Sequence, residues 1–468
     1  MPSSESRPQP ARALADVYRT LQPTPLTTAA ELDAFYISDI NDVRGGDKMQ
    51  RLQLRLQRAY ADRIPFKSCV MGHRGVGKST EISRLLARIS SQFQAIRFSA
   101  TTVLDPGSFK PLDVLLVMMI ELAKATAKPV HEGGAGHRPS RARLQEIWDW
   151  FSTEKETRQL AEQAALTIEA GAGATEDSLW GKVLGLFATL KGEIKFASAR
   201  TQEVITYRLT RLDLLIEVTN RLLDECNDAM RRKTGKQWLF VGEDFDRAGI
   251  PSTQIEDLFI NYANIFQGLR SHLIFTLPIS LYYFAKATRL PFSGFVIPDT
   301  PMFDASHTPN RAGQNAVVKA LAARMDLQLF ERQELSRLIV ASGGNLRDLF
   351  NLINYAADGA FIREATKIAG ADADAAIVNL RSDYERRLGQ SPYDPETISY
   401  EDKAKLLVRI YNGEKVAQMT NPALYSLLNS RAVQEFNGQR WFGIHPLVVD
   451  ILIAQDYLQA GVAGGTSR

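Results

Sequence analysis

The sequence predicts an α/β fold in which a parallel β-sheet flanked by helices is followed by an all-helical segment and a small helix-and-hairpin module. Three observations predict it. Short continuous apolar runs at 67–72, 95–100, 238–241, 272–278 and 294–298 alternate with helical patterning, as strands buried on both faces of a parallel sheet do. A glycine-rich loop joins the first run to a helix. An acidic cluster leaves the third run at its C-terminal end, the edge where ligands sit in open α/β sheets.

The 468 residues allow for about three domains at roughly 150 residues each. At 45% hydrophobic and 23% charged residues, the chain has ample material for a core, which excludes disordered, collagen-like and disulfide-scaffold classes. Lys and Arg number 56 against 53 Asp and Glu, a net charge of +3, so no overall field attracts a polyanion. Two cysteines, Cys69 and Cys226, fit a reducing compartment rather than a disulfide framework. Six scattered histidines give no metal-ligand spacing. The N-terminus lacks the apolar core of a secretory signal, and no stretch reaches the 18 or so apolar residues of a membrane span. The expectation is a cytoplasmic protein without a membrane span.

Taken in order, residues 1–28 are polar and proline-containing and are expected to be flexible. Helical patterning covers 47–61, rich in helix formers. KSCVMG (67–72) is a strand running into the glycine loop, and STEISRLLARISSQF then places Ile82, Leu85, Leu86 and Ile89 on one helical face. AIRFSA (95–100) is the second strand and LDVLLVMMIELAKATA (112–127) an apolar helix. Residues 128–205 interrupt the alternation, with loop-like KPVHEGGAGHRPSRAR and Gly/Ala-rich EAGAGATEDS (169–178); they read as an insertion in a domain spanning 29–300. Inside it, LWGKVLGLFATL (179–190) carries Lys182 and is too short to cross a bilayer; as an amphipathic helix it is expected to pack on its own protein rather than on lipid. A long helix over roughly 200–232 leads to WLFV (238–241), followed by HLIFTLP (272–278) and GFVIP (294–298).

Residues 301–389 read as an all-helical lid, and 390–460 as two helices and a hairpin. Asn437-Gly438 between alternating runs signals that hairpin, since a type I′ turn needs φ > 0 twice. Helices plus hairpin make a winged-helix module. The terminal AGVAGGTSR is expected to be disordered.

Gly72-His73-Arg74-Gly75-Val76-Gly77-Lys78-Ser79 matches G-x-x-x-x-G-K-[ST] at every fixed position, after a strand and at the start of a helix. The glycines let successive backbone N–H groups point at a phosphate, and the helix N-terminus adds partial positive charge. Lys78 is expected to reach the β- and γ-phosphates of a nucleotide, Ser79 to hold Mg²⁺, and Thr80 to support the α-phosphate through its backbone. Such a loop needs an acidic partner for the metal. WLFVGEDFDR supplies Glu243, Asp244 and Asp246, one to bind Mg²⁺ through water and another to polarise the attacking water. Gly242 stands where a last apolar residue is usual, so Glu243 and Asp244 are interchangeable in these roles. Asp246 is a third candidate, or else a surface partner of Arg247.

These residues and the order of elements resemble the AAA+ and related STAND-type P-loop ATPases. GHRGVGKST and GEDFDR are similar to the Walker A and Walker B motifs of that superfamily, and TLP (276–278) to its first sensor. SGGNLRDLFNLI (342–353) resembles the second sensor of origin-recognition-type members, and LYSLLNSRAVQEFNGQRWFGIHPLV the winged-helix tails of bacterial ones. The resemblance spans roughly residues 30–455 apart from the insertion. It implies ATP and Mg²⁺ as cofactors, Thr276 orienting the attacking water, Arg347 reaching the γ-phosphate from the lid, and an arginine completing a neighbour's site. Arg289, or failing that Arg270, is nearest the place of that arginine. Tyr36-Ile37 and Val43-Arg44, before the first strand, are candidates for base contacts. Implied partners are further copies of the chain or another protein, in roles such as signalling, antiphage defence or DNA transactions.

DNA binding is a separate question for the tail. Residues 401–468 carry seven Lys/Arg against six Asp/Glu, and NPALYSLLNSR, the expected recognition helix, has one basic residue, whereas phosphate contacts need several. Arg440 and Trp441 on the hairpin are the residues placed to touch nucleic acid. The favoured reading is an ATP-binding and hydrolysing switch or motor. The alternatives are an ATP-regulated DNA-binding protein and an ATP-binding adaptor that hydrolyses little.

Overall fold

The computed structural model describes residues 7–153, 178–195, 212–247, 249–283, 290–389, 398–415, 419, 421–436 and 441–459. Strands Lys67–Met71 (β1), Phe93–Ser99 (β2), Gln237–Glu243 (β3), His272–Leu277 (β4) and Ser293–Val296 (β5) form one sheet in the order β2-β3-β4-β1-β5. All four pairings are parallel. Every expected strand is present.

Side chains alternate across the sheet with the period of two that a strand imposes. Cys69, Met71, Phe98, Phe240 and Phe275 face one apolar layer, built with helices Pro111–Ala127 and Leu212–Thr234. Val70, Leu239, Val241, Ile274 and Phe295 face the other, where Leu52, Leu56, Ile82 and Leu85 pack. Thirteen residues of Pro111–Ala127 are buried, which explains why its sequence is apolar all round.

Helix Ser178–Lys195 turns Val183, Leu186, Phe187 and Leu190 into the first of these layers, the i, i+3, i+4, i+7 face of an amphipathic helix. It packs on its own protein. Helix Arg141–Thr153 joins the same layer through Leu144, Ile147 and Phe151, so these parts of 128–205 are continuous with the sheet core. Among the described residues, no helix is long and apolar enough to cross a membrane. The Gly/Ala-rich stretch 169–177 lies outside the described residues, as do the Asn437-Gly438 turn, Arg440 and the terminal segment 460–468.

The lid contains helices Arg311–Ala322, Glu334–Ala341, Leu346–Ile362 and Gly370–Leu388. The N-terminal stretch expected to be flexible carries helix Leu14–Thr20, and Ala11, Leu14, Val17 and Leu21 are buried in the lid core. Ala11 N–H donates to the Arg324 carbonyl at 2.8 Å, and Asn354 Nδ2 to the Leu21 carbonyl at 3.0 Å. A polar average had hidden four apolar residues spaced for one helical face.

The C-terminal module has helices Tyr400–Tyr411 and Pro422–Asn429, an antiparallel hairpin of Val433–Phe436 (β6) with Trp441–Ile444 (β7), and helix Pro446–Ala454. The parallel sheet, the all-helical segment and the helix-plus-hairpin tail follow one another in the order expected from the sequence. Trp441 is part-buried and lies against Phe436, with ring centroids 4.6 Å apart. Helix Pro422–Asn429 buries Leu424 through Leu428. It meets the turn after β4, where Ser280 Oγ donates to Asn429 Oδ1 at 2.5 Å.

Candidate functional site

Gly77, with φ +98, caps helix Lys78–Arg88 directly after the glycine loop. The loop curls over Lys78, whose three ammonium hydrogens are all engaged. Nζ donates to the carbonyls of Gly72 at 2.8 Å and His73 at 2.9 Å, and pairs with Asp246 Oδ2 at 2.6 Å. Burial opposes charge on Asp246, but Lys78 holds its carboxyl below the usual carboxylate range. Lys78 and Asp246 line a cavity of about 280 Å³ with Arg74, Gly75, Val76, Gly77, Ser79 and Thr80, at the small end of ligand pockets. His73 is buried beneath the loop, its Nε2 3.6 Å from Asp299 Oδ2.

The acidic turn after β3 contributes three carboxylates that the structure separates. Glu243 accepts from Arg97 Nε at 2.9 Å and Nη2 at 2.7 Å. Asp244 accepts from Ser99 Oγ at 2.5 Å and Arg247 Nε at 2.9 Å. Its φ is +66, a conformation that a non-glycine residue holds only where its surroundings dictate it, often at a working site. Thr276, buried at the end of β4, accepts the Asp244 N–H at 3.0 Å on Oγ1. All three carboxylates line the cavity; Thr276 reaches it through that backbone contact.

Gly242 has a packing cause. A Cβ there would lie 2.6 Å from a ring carbon of Phe275 and 3.0 Å from one of Phe245. Phe275 stacks edge-on with Phe245, at 5.6 Å between centroids, and with Phe259, at 5.1 Å. The aromatic cluster under the acidic turn occupies the space of the usual apolar side chain, so the strand keeps its register and places Glu243 opposite Ser99 of β2.

The lid closes the cavity from the opposite side. Asn345 caps helix Leu346–Ile362, accepting from the N–H groups of Arg347 and Asp348, and its Nδ2 donates to the Arg74 carbonyl at 2.9 Å. The approach is close enough that a Cβ on Gly75 (φ +94) would sit 2.3 Å from Asn345 Oδ1 and 2.7 Å from Arg347 Cβ. Arg347 lines the cavity, and its Nε is buried without a hydrogen-bond partner among the described residues. Burial first, then repulsion from Arg74 and Arg431, pulls its guanidinium down to about 10. A cation held at such a cost suits an arriving anion.

Phe35, Tyr36, Ile37, Ile40, Leu346 and Phe350 also line the pocket. Tyr36 OH donates to Glu81 at 2.8 Å, and Val43 packs beside the pocket against the lid. Arg44 reaches beneath the loop, with Nη1 donating to the Val76 carbonyl at 2.9 Å and Nε to Thr300 Oγ1 at 3.0 Å. Thr80 is tied to the N-terminal stretch, its hydroxyl accepting the Leu26 N–H at 3.1 Å. Arg289 lies outside the described residues. Arg270 makes an exposed pair with Asp224 at 2.5 Å, away from the cavity.

The structure thus gathers Arg74–Thr80, the three carboxylates and Arg347 around one cavity, with Gly72, His73 and Thr276 behind its lining. Sequence reasoning missed Asn345, Arg97, Ser99 and Arg431. Asn345 carried a usable signal, an Asn directly before an apolar-periodic run, which is a helix N-cap signature.

No family model matches the sequence, and no curated protein matches it. Among solved structures, the chain is similar to Cdc6p from Pyrobaculum aerophilum, at 12% identity and a TM-score of 0.37 over 94% of this chain and 98% of that one. It is similar to the Aeropyrum pernix ORC2 protein solved as ADPNP–ADP complexes, at 10% identity and 0.35 over 88% and 93%. A chain of Drosophila ORC bound to DNA gives 11% identity and 0.36 over 97% and 94%.

Proposed function

We propose that this chain is a P-loop ATPase of the AAA+ kind, binding ATP and Mg²⁺ between sheet and lid and acting as a nucleotide-dependent switch. One observation carries the reading: Lys78 from the sheet domain and Arg347 from the lid face one cavity beside three carboxylates. Arg74, Arg97 and Arg247 line it too, so the cationic groups outnumber the acidic ones there. A polyphosphate is the anion that loop and cations together fit.

In this reading the N–H groups of 75–79 and Lys78 hold the β-phosphate, and Arg347 meets the γ-phosphate. Ser79, with Asp246 or one of Glu243 and Asp244, would hold Mg²⁺, which supplies charge neutralisation at the phosphate oxygens. Asp244, fixed by Ser99 and Thr276, is the carboxylate best placed to accept a proton from the attacking water. Arg97 shares Glu243, which leaves Glu243 the metal-side role. Lid and loop are joined through Asn345, so a change at the γ-phosphate is passed to the lid as a change of packing.

The test is steady-state ATP hydrolysis by the wild type, Lys78→Ala, Glu243→Gln and Asp244→Asn, with particle size measured with and without ATP and DNA. Unchanged hydrolysis in Lys78→Ala would remove the site; hydrolysis indifferent to both acid changes would remove the acidic assignment. The near-balance of seven Lys/Arg against six Asp/Glu over 401–468 argues against DNA reading as the resting activity. DNA stimulation that falls steeply with salt would restore it.

A further inference from the structure

Two carbonyls of the glycine loop, those of Arg74 and Val76, are held from outside it. Arg44 takes the Val76 carbonyl from within the sheet domain. The Arg74 carbonyl has two donors, Asn345 of the lid at 2.9 Å and Nη1 of Arg431 at 3.2 Å. Arg431 belongs to neither sheet nor lid. It sits between helix Pro422–Asn429 and β6, in the C-terminal module, with φ +64. Its Nη2 pairs with Asp348 Oδ1 at 3.0 Å, and Tyr384 OH donates to the other oxygen of Asp348 at 2.9 Å. The Arg431 guanidinium also lies 5.7 Å from the Tyr384 ring centroid. Both charges of the pair are nearly buried, at 11% and 3% side-chain exposure, so losing one leaves the other uncompensated.

A trans peptide is planar, with its C=O and N–H pointing opposite ways. Anchoring the Arg74 carbonyl on the outer side of the loop therefore turns the Gly75 N–H toward the inner side, where a phosphate is received. We infer that Arg431 is a positioning residue of the phosphate cradle, by which the C-terminal module sets the orientation of the Arg74–Gly75 peptide. This deepens the proposed function and rests on the reading that the loop binds nucleotide. The coupling runs both ways, since a phosphate that fixes Gly75 N–H also fixes the acceptor that Arg431 needs.

The experiment is calorimetric binding of ATP and ADP to the full chain as wild type, Arg431→Gln, Arg431→Lys and Lys78→Ala. Arg431→Gln is expected to weaken ATP and ADP together by roughly tenfold, the worth of a charge-assisted hydrogen bond, with circular dichroism unchanged. Joint loss follows because the β-phosphate is common to both nucleotides. Arg431→Lys, which keeps the charge but cannot span both acceptors, is expected to fall between. A folded Arg431→Gln with wild-type affinity overturns the inference. If Lys78→Ala also keeps full affinity, the nucleotide reading itself has failed, a distinguishable result. Should Arg431→Gln not fold, hydrogen exchange on the wild type decides: ATP is expected to raise protection in both 346–350 and 432–436, and protection rising in neither overturns the inference.

Discussion

Lys78 Nζ lies 2.6 Å from Asp246 Oδ2, so the ammonium expected to bind phosphate already holds a carboxylate. An incoming phosphate competes with Asp246 for the same donor. Asp246→Asn is therefore expected to tighten binding of metal-free ATP by roughly tenfold, since a charge-assisted hydrogen bond is worth about 1.5–3 kcal/mol. The same change is expected to slow Mg²⁺-dependent hydrolysis. Titrating ATP with EDTA present, then with Mg²⁺, separates the two effects; equal affinities without metal would show that Asp246 does not compete.

Arg347 sits in the cavity with an unsatisfied Nε. Arg347→Gln is expected to lower kcat by roughly 100-fold, as loss of a donor to developing charge does, while ADP affinity changes less than about threefold. Equal losses for ATP and ADP would place Arg347 on a shared phosphate instead.

Gly242 is a packing requirement of the Phe245–Phe259–Phe275 cluster. Gly242→Val is expected to cost about 1–3 kcal/mol through overpacking and to lower Tm by several degrees. A variant with wild-type Tm would show that the rings relax freely around the extra methyl groups.

Asp299 is fully buried beside His73, and burial, partly offset by Arg44 and Arg431, pushes its carboxyl up to about 7. An unfolded chain ionises this group near 3.9. Between those values the folded protein keeps a proton that the unfolded chain releases, so this residue's contribution to stability falls as pH rises and levels off above about 7. Asp299→Asn lacks that fall. The Tm of the variant relative to the wild type is expected to climb from pH 5 to pH 7.5. His73 and His445, held by burial at about 3 and about 4, act in the opposite sense and are common to both proteins. A constant Tm difference would mean that Asp299 is ionised in the native state.

Much of the fold was legible because its signals are local. The glycine loop, the five apolar strands and the amphipathic faces each follow from a few adjacent residues, and all five strands lie where the sequence puts them. Lys78 and Arg347 were legible for the same reason, each marked by glycines beside it. What stayed hidden depends on contacts between segments far apart in the chain. Arg431 carries no local mark, yet the hydrogen-bond partners of its guanidinium, Arg74 and Asp348, are 357 and 83 residues away. Leu14 and Val17 sit in a stretch whose proline and polar content masks a helix that lid packing selects. Gly242 looked like a departure from the motif because Phe275, which fills its space, arrives from the neighbouring strand.

Helix Pro422–Asn429 buries Leu424, Leu427 and Leu428 in the apolar cluster shared by the lid and the C-terminal module, with Ser280 and Asn429 at its seam with the turn after β4. A ligand that needs this face binds only the fraction of molecules in which it is uncovered, and its apparent affinity is divided accordingly. If roughly one molecule in a hundred is open, the ligand appears about a hundredfold weaker than its intrinsic affinity. Saturation curves for such a ligand would thus report the opening equilibrium as much as the contact.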